Sequence, residues 1–306
     1  MDTANTTPLR PEDWLIGALG VWMGTPDGGW RRVGPYTYVT NDVVVDSPTD
    51  TLRTDHATAD ILVATGHGLW LANGDPTKRW IQLHDETLTE VAVVRPTADA
   101  GVIVAGCYGV ARATPDDLGI SRWQSNTEDH VPDERFTNDL LTQATGPWLA
   151  ATEAGVLVSD DGGLQWSLTD LRDTAVRVLH RVEDGWLAGS DTRGLWHSVD
   201  GAHWRAVDAP TPGVFSIATE GDKLLLGGYD GIHIRDANSQ WRHSGPRAMI
   251  GSMATGDGVW LAGADPGGLW VSTDEGGSWR HTGDFNSVRA IRAPAVSGAP
   301  NTTAEV

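Results

Sequence analysis

The sequence predicts an all-β fold, a seven-bladed β-propeller of four-stranded antiparallel blades. Three observations predict it. First, a Trp opens a strand at Trp30, Trp80, Trp123, Trp166, Trp204, Trp241 and Trp279, with spacings of 50, 43, 43, 38, 37 and 38 residues. A period of this size marks a repeat architecture. Second, each Trp follows a Gly-led hydrophobic triplet and a short turn, so each unit holds several short strands punctuated by Gly or Asp. Third, no stretch carries long helical periodicity.

The unit ending at Trp279 shows the pattern most cleanly. Residues 248–254 read as an inner strand A, 258–263 as strand B, 268–272 as strand C and 278–281 as strand D. Each run is short, rich in β-branched or aromatic residues, and bounded by turn formers. Inner strands are expected near residues 38–45, 90–95, 135–143, 174–182, 213–219 and 249–255. The chain begins with strands B, C and D only, at 14–17, 20–22 and 30–33, and the missing strand A is found at 287–292. The two ends are therefore expected to build one composite blade, which leaves no bare sheet edge at the seam.

All 15 Trp fall on blade positions. Seven open strand D; Trp22, Trp70, Trp196 and Trp270 lie in strand C, and Trp14, Trp148, Trp186 and Trp260 in strand B. Large flat side chains at regular positions are what face-to-face blades would bury. The domain reading is a tail at 1–13, the propeller at 14–293, and a Pro/Gly/Ser/Thr-rich, disordered tail at 294–306.

Between strands C and D, Ser159-Asp160-Asp161-Gly162-Gly163-Leu164-Gln165-Trp166 and Ser272-Thr273-Asp274-Glu275-Gly276-Gly277-Ser278-Trp279 both fit S-x-D-x-G-x-x-W. The turn from Ser198 to Trp204 is one residue shorter, and that from Thr25 to Trp30 is a worn copy. The carboxylate is suited to accept turn N–H groups, Gly supplies positive φ, and Trp pins the turn to its blade. On these residues the chain resembles the BNR/Asp-box repeat propellers, which include sialidases, sortilin-type receptor domains and photosystem II assembly factors. The style of residues 39–48 and 61–70 is most similar to the sortilin and assembly-factor repeats. The resemblance implies a structural role for the Asp turns and leaves function open, because the superfamily hosts enzymes and binding scaffolds alike.

The net charge of −19 comes from 31 Asp and 10 Glu against 20 Arg and two Lys, Lys78 and Lys223. Such a surface repels nucleic acid and anionic membranes, so neither is an expected partner. An acidic chain nearly devoid of Lys fits a salt-loaded cytoplasm, where ionic strength screens self-repulsion; the rival reading is a surface chosen for a basic partner. Cys107 is alone, so no internal disulfide is possible. Residues 1–13 carry no signal-peptide pattern and no apolar run spans a membrane, so the expectation is a cytoplasmic monomer.

Candidate ligand-binding residues come from the B–C turns, which gather with the D–A connections on one face of a propeller. In order these turns offer His67, Tyr108, Glu153, Arg193, Tyr229 with Asp230, and Asp265. Their chemistry differs from blade to blade, and variation on a rigid frame is where loops carry function; solvated turns are the plainer alternative. The acidic segment 126–134 is the longest connection on that face, read as a solvated loop or a lid. Insertions at 46–60 and 114–120 are assigned to the opposite face. At the axis, Asp42, Glu90 and Asp139 begin equivalent inner strands. Their carboxylates would suit Ca²⁺ or Mg²⁺, or else hold the strand starts by accepting backbone N–H groups.

No other cofactor is expected. The ten His show neither H-x-x-x-H nor H-E-x-x-H spacing, no strand–Gly-loop–helix unit exists for a nucleotide, and Cys107 reads as a buried, inert strand-end thiol. The leading functional reading is a non-catalytic scaffold binding a protein or small ligand on the B–C and D–A face. The alternative is a glycoside hydrolase of sialidase type. That resemblance implies a Tyr nucleophile paired with Glu, an Asp acid and an arginine cluster, for which Tyr108 or Tyr229, Glu153, and Arg193 with Arg247 and Arg289 are available. The chain departs from it in lacking an early Arg-Ile-Pro element and in counting seven blades rather than six.

Overall fold

The computed structural model describes residues 13–46, 60–72, 75–84, 90–97, 101–113 and 123–294. The insertions expected at 46–60 and 114–120, and most of both tails, lie outside them. The described chain is a succession of short antiparallel strands. The first five are β1 (Trp14–Thr25), β2 (Gly28–Asp46), β3 (Asp60–Thr65), β4 (Gly68–Ala72) and β5 (Ile81–His84). A four-stranded sheet follows, with β6 (Val91–Pro96), β7 (Val102–Gly106), β8 (Gly109–Ala113) and β9 (Gln124–Ser125) in order. After helix α1 (Pro132–Arg135) comes a sheet of β10 (Thr137–Leu141), β11 (Trp148–Thr152), β12 (Gly155–Ser159) and β13 (Ser167–Arg172). The same order repeats in β14 (Val176–Val182), β15 (Gly185–Ser190), β16 (Leu195–Ser198) and β17 (Arg205–Val207). It repeats again in β18 (Ser216–Glu220), β19 (Lys223–Gly228), β20 (Gly231–Arg235) and β21 (Trp241–Ser244). The last four-stranded sheet is β22 (Ile250–Gly256), β23 (Val259–Ala264), β24 (Gly268–Ser272) and β25 (Arg280–Thr282). The final strand, β26 (Ala290–Arg292), joins β1–β5 in a six-stranded sheet ordered β26-β1-β2-β3-β4-β5.

The six-stranded sheet differs from expectation in an instructive way. Strands expected separately at 14–17 and 20–22 are one strand, β1, and the strands expected at 30–33 and 38–45 are fused in β2. The join is made at Leu19, which pairs with Val39, while Val21, Trp22, Met23 and Thr25 pair with Gly34, Arg32, Arg31 and Gly28. β26 pairs with the other edge of β1, matching Ile16 to Ile291 and Gly17 to Ala290. Strands from near both ends of the described chain thus lie side by side in one sheet.

Alternation explains the core. In β3, Leu62 and Ala64 face one neighbour and pack with Val91, Val94, Val102 and Val104, while Ile61 and Val63 face the other and pack with Leu15, Val21 and Met23. A strand buried on both faces reads as a continuous apolar run, and every residue of β3, β7, β11 and β15 is buried. The cluster around Ile61 and Val63 lies within the six-stranded sheet, between its β1 and β3 halves, and each of the other apolar clusters lies between two successive sheets. The first strands neighbour one another in turn: β2 beside β6, then β10, β14, β18, β22 and β26, and β26 beside β2. This is the packing of a β-propeller.

Seven of the 15 Trp, namely Trp14, Trp70, Trp148, Trp166, Trp186, Trp204 and Trp260, are buried and the other eight are half-buried. In the C–D turns Asp161 Oδ1 accepts from Ser159 Oγ at 2.8 Å and from the N–H groups of Leu164 and Gln165 at 3.0 and 2.9 Å, while Trp166 Nε1 donates to Gly163 O at 3.0 Å. Gly163 has φ +84°, and a Cβ there would lie 2.9 Å from the Trp148 ring, so both conformation and space demand glycine. Asp200 and Asp274 repeat the pattern. The turn from Thr25 to Trp30 does not: Asp27 ion-pairs with Arg280 at 2.9 Å instead. Segment 126–134, expected as a loop, contains the start of α1. Among the described residues no helix is long and apolar enough to cross a membrane.

Candidate functional site

Antiparallel order puts the B–C turns and the D–A connections at the same end of every sheet. The turns are built alike. A hydroxyl ending strand B caps the turn: Thr65 Oγ1 donates to Gly68 O at 2.8 Å and accepts from His67 N at 3.0 Å. Thr152 does the same for Gly155 and Ala154, and Ser190 for Gly194 and Arg193. The turn backbones are satisfied internally, so His67, Glu153 and Arg193 put different chemistry on one frame.

Glu153 lies in a network the sequence did not reveal. Its carboxylate pairs with Arg177, just inside β14 of the next sheet, and Arg177 also makes a two-pronged contact with Asp191, Nη2 lying 2.6 Å from Oδ2. Asn138 completes the group, its Oδ1 accepting from Arg177 at 3.1 Å while its Nδ2 donates to Val176 O at 2.9 Å. Hydrogen bonding to Asp191, with the charges of Asp191 and Glu153, raises the Arg177 pKa although partial burial opposes it. One guanidinium therefore ties two B–C turns to an inner strand. The connection before β10 docks on the same turn, with Glu153 N donating to Phe136 O at 3.1 Å and Ala154 N to Asp133 O at 3.0 Å.

Aromatic groups occupy the rest of the face. His67 stands against Tyr38 with ring centroids 4.3 Å apart, and Tyr36 leans on Tyr38 and Trp70 at 5.4 and 5.5 Å. Tyr229 meets Phe215 edge-on at 4.6 Å. Tyr108 projects from its turn into solvent. Arg193 lines an open cleft of about 460 Å³ with Asp208, Pro210 and Pro212. Asp230 accepts from two imidazoles of its own sheet, His233 through its carboxylate at 3.2 Å and His243 through its carbonyl at 2.9 Å. Among the described residues, this trio is the group placed to hold a metal ion.

The axial carboxylates are engaged differently from a cation cage. Asp42 accepts from Val43 N at 2.9 Å and Val94 N at 3.1 Å, and Asp139 from Leu140 N at 2.8 Å and Leu179 N at 2.9 Å. Each thus staples its strand to the next inner strand. Arg95 pairs with both, so a guanidinium supplies the positive charge there. Glu90 does not join them in a metal-holding group among the described residues; its charge adds to burial in raising the Cys107 thiol, which stays protonated near neutrality. Burial pushes Asp139 up to about 6 against the pull of Arg95 and the Leu179 N–H.

Sequence reasoning missed Arg95, Arg177, Asn138, Tyr36, Phe136, Phe215, His233 and His243. A signal existed for one of them, Asn138. Thr40-Asn41-Asp42 and Thr137-Asn138-Asp139 are the same tripeptide, and in both the Asn Nδ2 donates to an inner-strand carbonyl of the next sheet at 2.9 Å.

No protein-family model matches the chain, and no curated protein matches it. Solved structures do. The chain is similar to YCF48 bound to D1 peptide, at 12% identity and TM-score 0.61, with 96% of each chain covered. It is similar to YCF48 from Cyanidioschyzon merolae at 15% identity and TM-score 0.58, covering 86% of this chain and 96% of that one. It also matches the extracellular domain described as one component system BT4673 from B. thetaiotaomicron, at 14% identity and TM-score 0.63. That match covers 88% of this chain and spans only 39% of the larger protein's. At these identities the likeness is one of fold.

Proposed function

We propose that this chain is a non-catalytic scaffold, a seven-bladed propeller closed by a composite blade, that binds a protein segment on the face of B–C turns and D–A connections. One observation carries the reading: where the exposed apolar and aromatic groups lie. Of the eight large apolar or aromatic side chains at least 45% exposed among the described residues, six sit on this face, Leu19, Tyr36, Tyr108, Val131, Phe136 and Tyr229, while Leu164 and Val199 lie singly in C–D turns on the opposite face. All four tyrosines of the chain are there, whereas the tryptophans build the blades. Tyr and Phe mark the cores of protein interfaces, and Arg177 with its acids adds a polar anchor among them. The YCF48 structure holding a D1 peptide supports peptide binding as a use of such a frame. The reading includes a salt-loaded cytoplasm, supported by the −19 charge and the two lysines.

The glycosidase alternative draws no support from the site. A Tyr nucleophile would need the Glu153 carboxylate, which Arg177 takes, and Arg289 is paired with Asp265 at 3.1 Å.

The test is a high-salt pull-down from source extract with cross-linking, comparing the native chain with Tyr36→Ala/Tyr108→Ala/Tyr229→Ala. All three rings are more than half exposed, so the variant should melt close to the native chain. Specific capture that is lost in the variant supports the reading. Capture retained by the triple variant, or turnover of a glycoside panel by the native chain, rejects it.

A further inference from the structure

His233 in β20 and His243 in β21 are direct partners across the ladder. Their side chains therefore leave the sheet on one face, with ring centroids 5.2 Å apart and the planes at 76°. The turn before β20 folds Asp230 back over them. Its carboxylate lies 3.2 Å from His233 Nε2 and 3.9 Å from His243 Nε2, and one ligand atom from each residue falls within 4.8 Å of the other two.

This departs from the repeat at one point. Trp22, Trp70 and Trp270 hold the strand-C position that His233 takes here, and each donates its Nε1–H to the carbonyl three residues back, at 3.2, 3.0 and 2.9 Å. In this sheet alone a nitrogen able to ligate replaces the indole, and it meets a carboxylate rather than a carbonyl. Gly231 keeps the space open, since a Cβ there would come within 2.9 Å of His243 Nε2.

We propose that Asp230, His233 and His243 form a binding site for a divalent transition-metal ion, with Zn²⁺ the best fit. Two imidazoles and one carboxylate match the ligand preference of that ion, and three protein ligands leave a position for water or an outside donor. His233 is 7% exposed and anchors the site, while Asp230 and His243 lie at the surface and give the ion an entry path. In the metal-free chain His243 Nε2 donates to the Asp230 carbonyl at 2.9 Å. His233 Nε2 likewise carries the proton it donates to the Asp230 carboxylate at 3.2 Å. Binding moves both protons to the Nδ1 atoms and frees both Nε2 lone pairs, so two neutral imidazoles ligate without net loss of a proton. The inference stands apart from the docking reading, because it needs only this one sheet.

The experiment titrates Zn²⁺ into chelator-treated, tag-free protein by calorimetry, with Co²⁺ absorption as a report of ligand type. A saturable phase of one equivalent is expected, with a Co²⁺ spectrum of nitrogen and oxygen ligation. His243→Gln and Asp230→Asn, both at exposed positions, should weaken it at least about tenfold. His203→Gln, which removes an exposed His paired with Asp200, should leave it unchanged. Circular dichroism confirms that each variant is folded. Absence of a one-equivalent phase in the native chain overturns the site, as does undiminished affinity in folded His243→Gln.

Discussion

Arg95 Nη2 lies 3.1 Å from Asp139 Oδ1, an ion pair that crosses from one sheet to the next. The same guanidinium holds Asp42, so one arginine pairs with two axial carboxylates whose side chains are only 20% and 15% exposed. Removing a cation from partly buried carboxylates leaves their desolvation uncompensated.

Arg95→Gln should therefore cost roughly 2–3 kcal/mol at pH 8, less than a fully buried pair because these groups keep some solvent. The pH dependence has a definite sign. Burial holds folded Asp139 up to about 6, above its ordinary 3.8. The folded state then binds the proton more tightly than the unfolded one, so this group weakens the fold above about pH 6 and is relieved as pH falls through that value. Without Arg95 the Asp139 pKa rises further, and the variant should regain more stability between pH 8 and 6 than the native chain does. Denaturant melts at the two pH values measure it. Parallel losses at both would count against this electrostatic account.

The C–D turns carry the opposite sign. Asp274 is held down to about 2, first by the Ser278 N–H and then by the hydroxyls of Ser278 and Ser272. A depressed folded value means the contribution is present above the ordinary 3.8 and is lost as pH falls from there toward 2. Asp274→Ala should lower the melting temperature at pH 7, and the gap from the native chain should shrink below pH 3. A gap that stays constant with pH would show that the turn does not depend on the ionised carboxylate.

The repeat was readable because blade stacking forces large apolar side chains onto fixed positions. Trp166, Trp204 and the double-faced run of β3 announce themselves in any register. The pairing of β26 with β1 was readable too, from the strand-A pattern at 287–292. The site was readable only as a face. Arg177 belongs to an inner strand and its partners to turns in two sheets, so no local motif links Glu153, Arg177 and Asp191. His233 and His243 are ten residues apart in sequence and meet only through strand pairing, which helix-type spacing rules do not register. The fusion of β1 and β2 escaped because it depends on Leu19 pairing with Val39, a local irregularity of the ladder.

Arg177 sets the rigidity of the candidate binding face. Arg177→Met keeps the apolar stem and deletes every contact to Glu153, Asp191 and Asn138. Two acids freed side by side then repel each other. With all three ionic groups near 30% exposed, the expected loss is about 1 kcal/mol. Hydrogen exchange should quicken at residues 152–154 and 190–192 and stay unchanged in the opposite turns around Asp161. Uniform protection in the variant would mean the turns are held by their Thr and Ser caps alone.

The pairing of β1 with β26 rests on a close approach. Gly17 sits opposite Ala290, and a Cβ placed on it would lie 2.9 Å from the Ala290 Cβ, 2.8 Å from Thr40 Cγ2 and 3.1 Å from Thr40 O. Gly17 needs no left-handed backbone, so the constraint is space alone. Thr40 is fully buried and has nowhere to move. Gly17→Val should then force β26 away from β1 at a cost of roughly 3 kcal/mol, the upper range for overpacking. Gly251→Ala is the control, because nothing lies within 4 Å of a Cβ there and the added methyl restricts the unfolded chain. Exchange in Gly17→Val should accelerate first at residues 290–292, before the sheets far from the seam. A variant that melts with the native chain would show that the β1–β26 pairing adds nothing to stability.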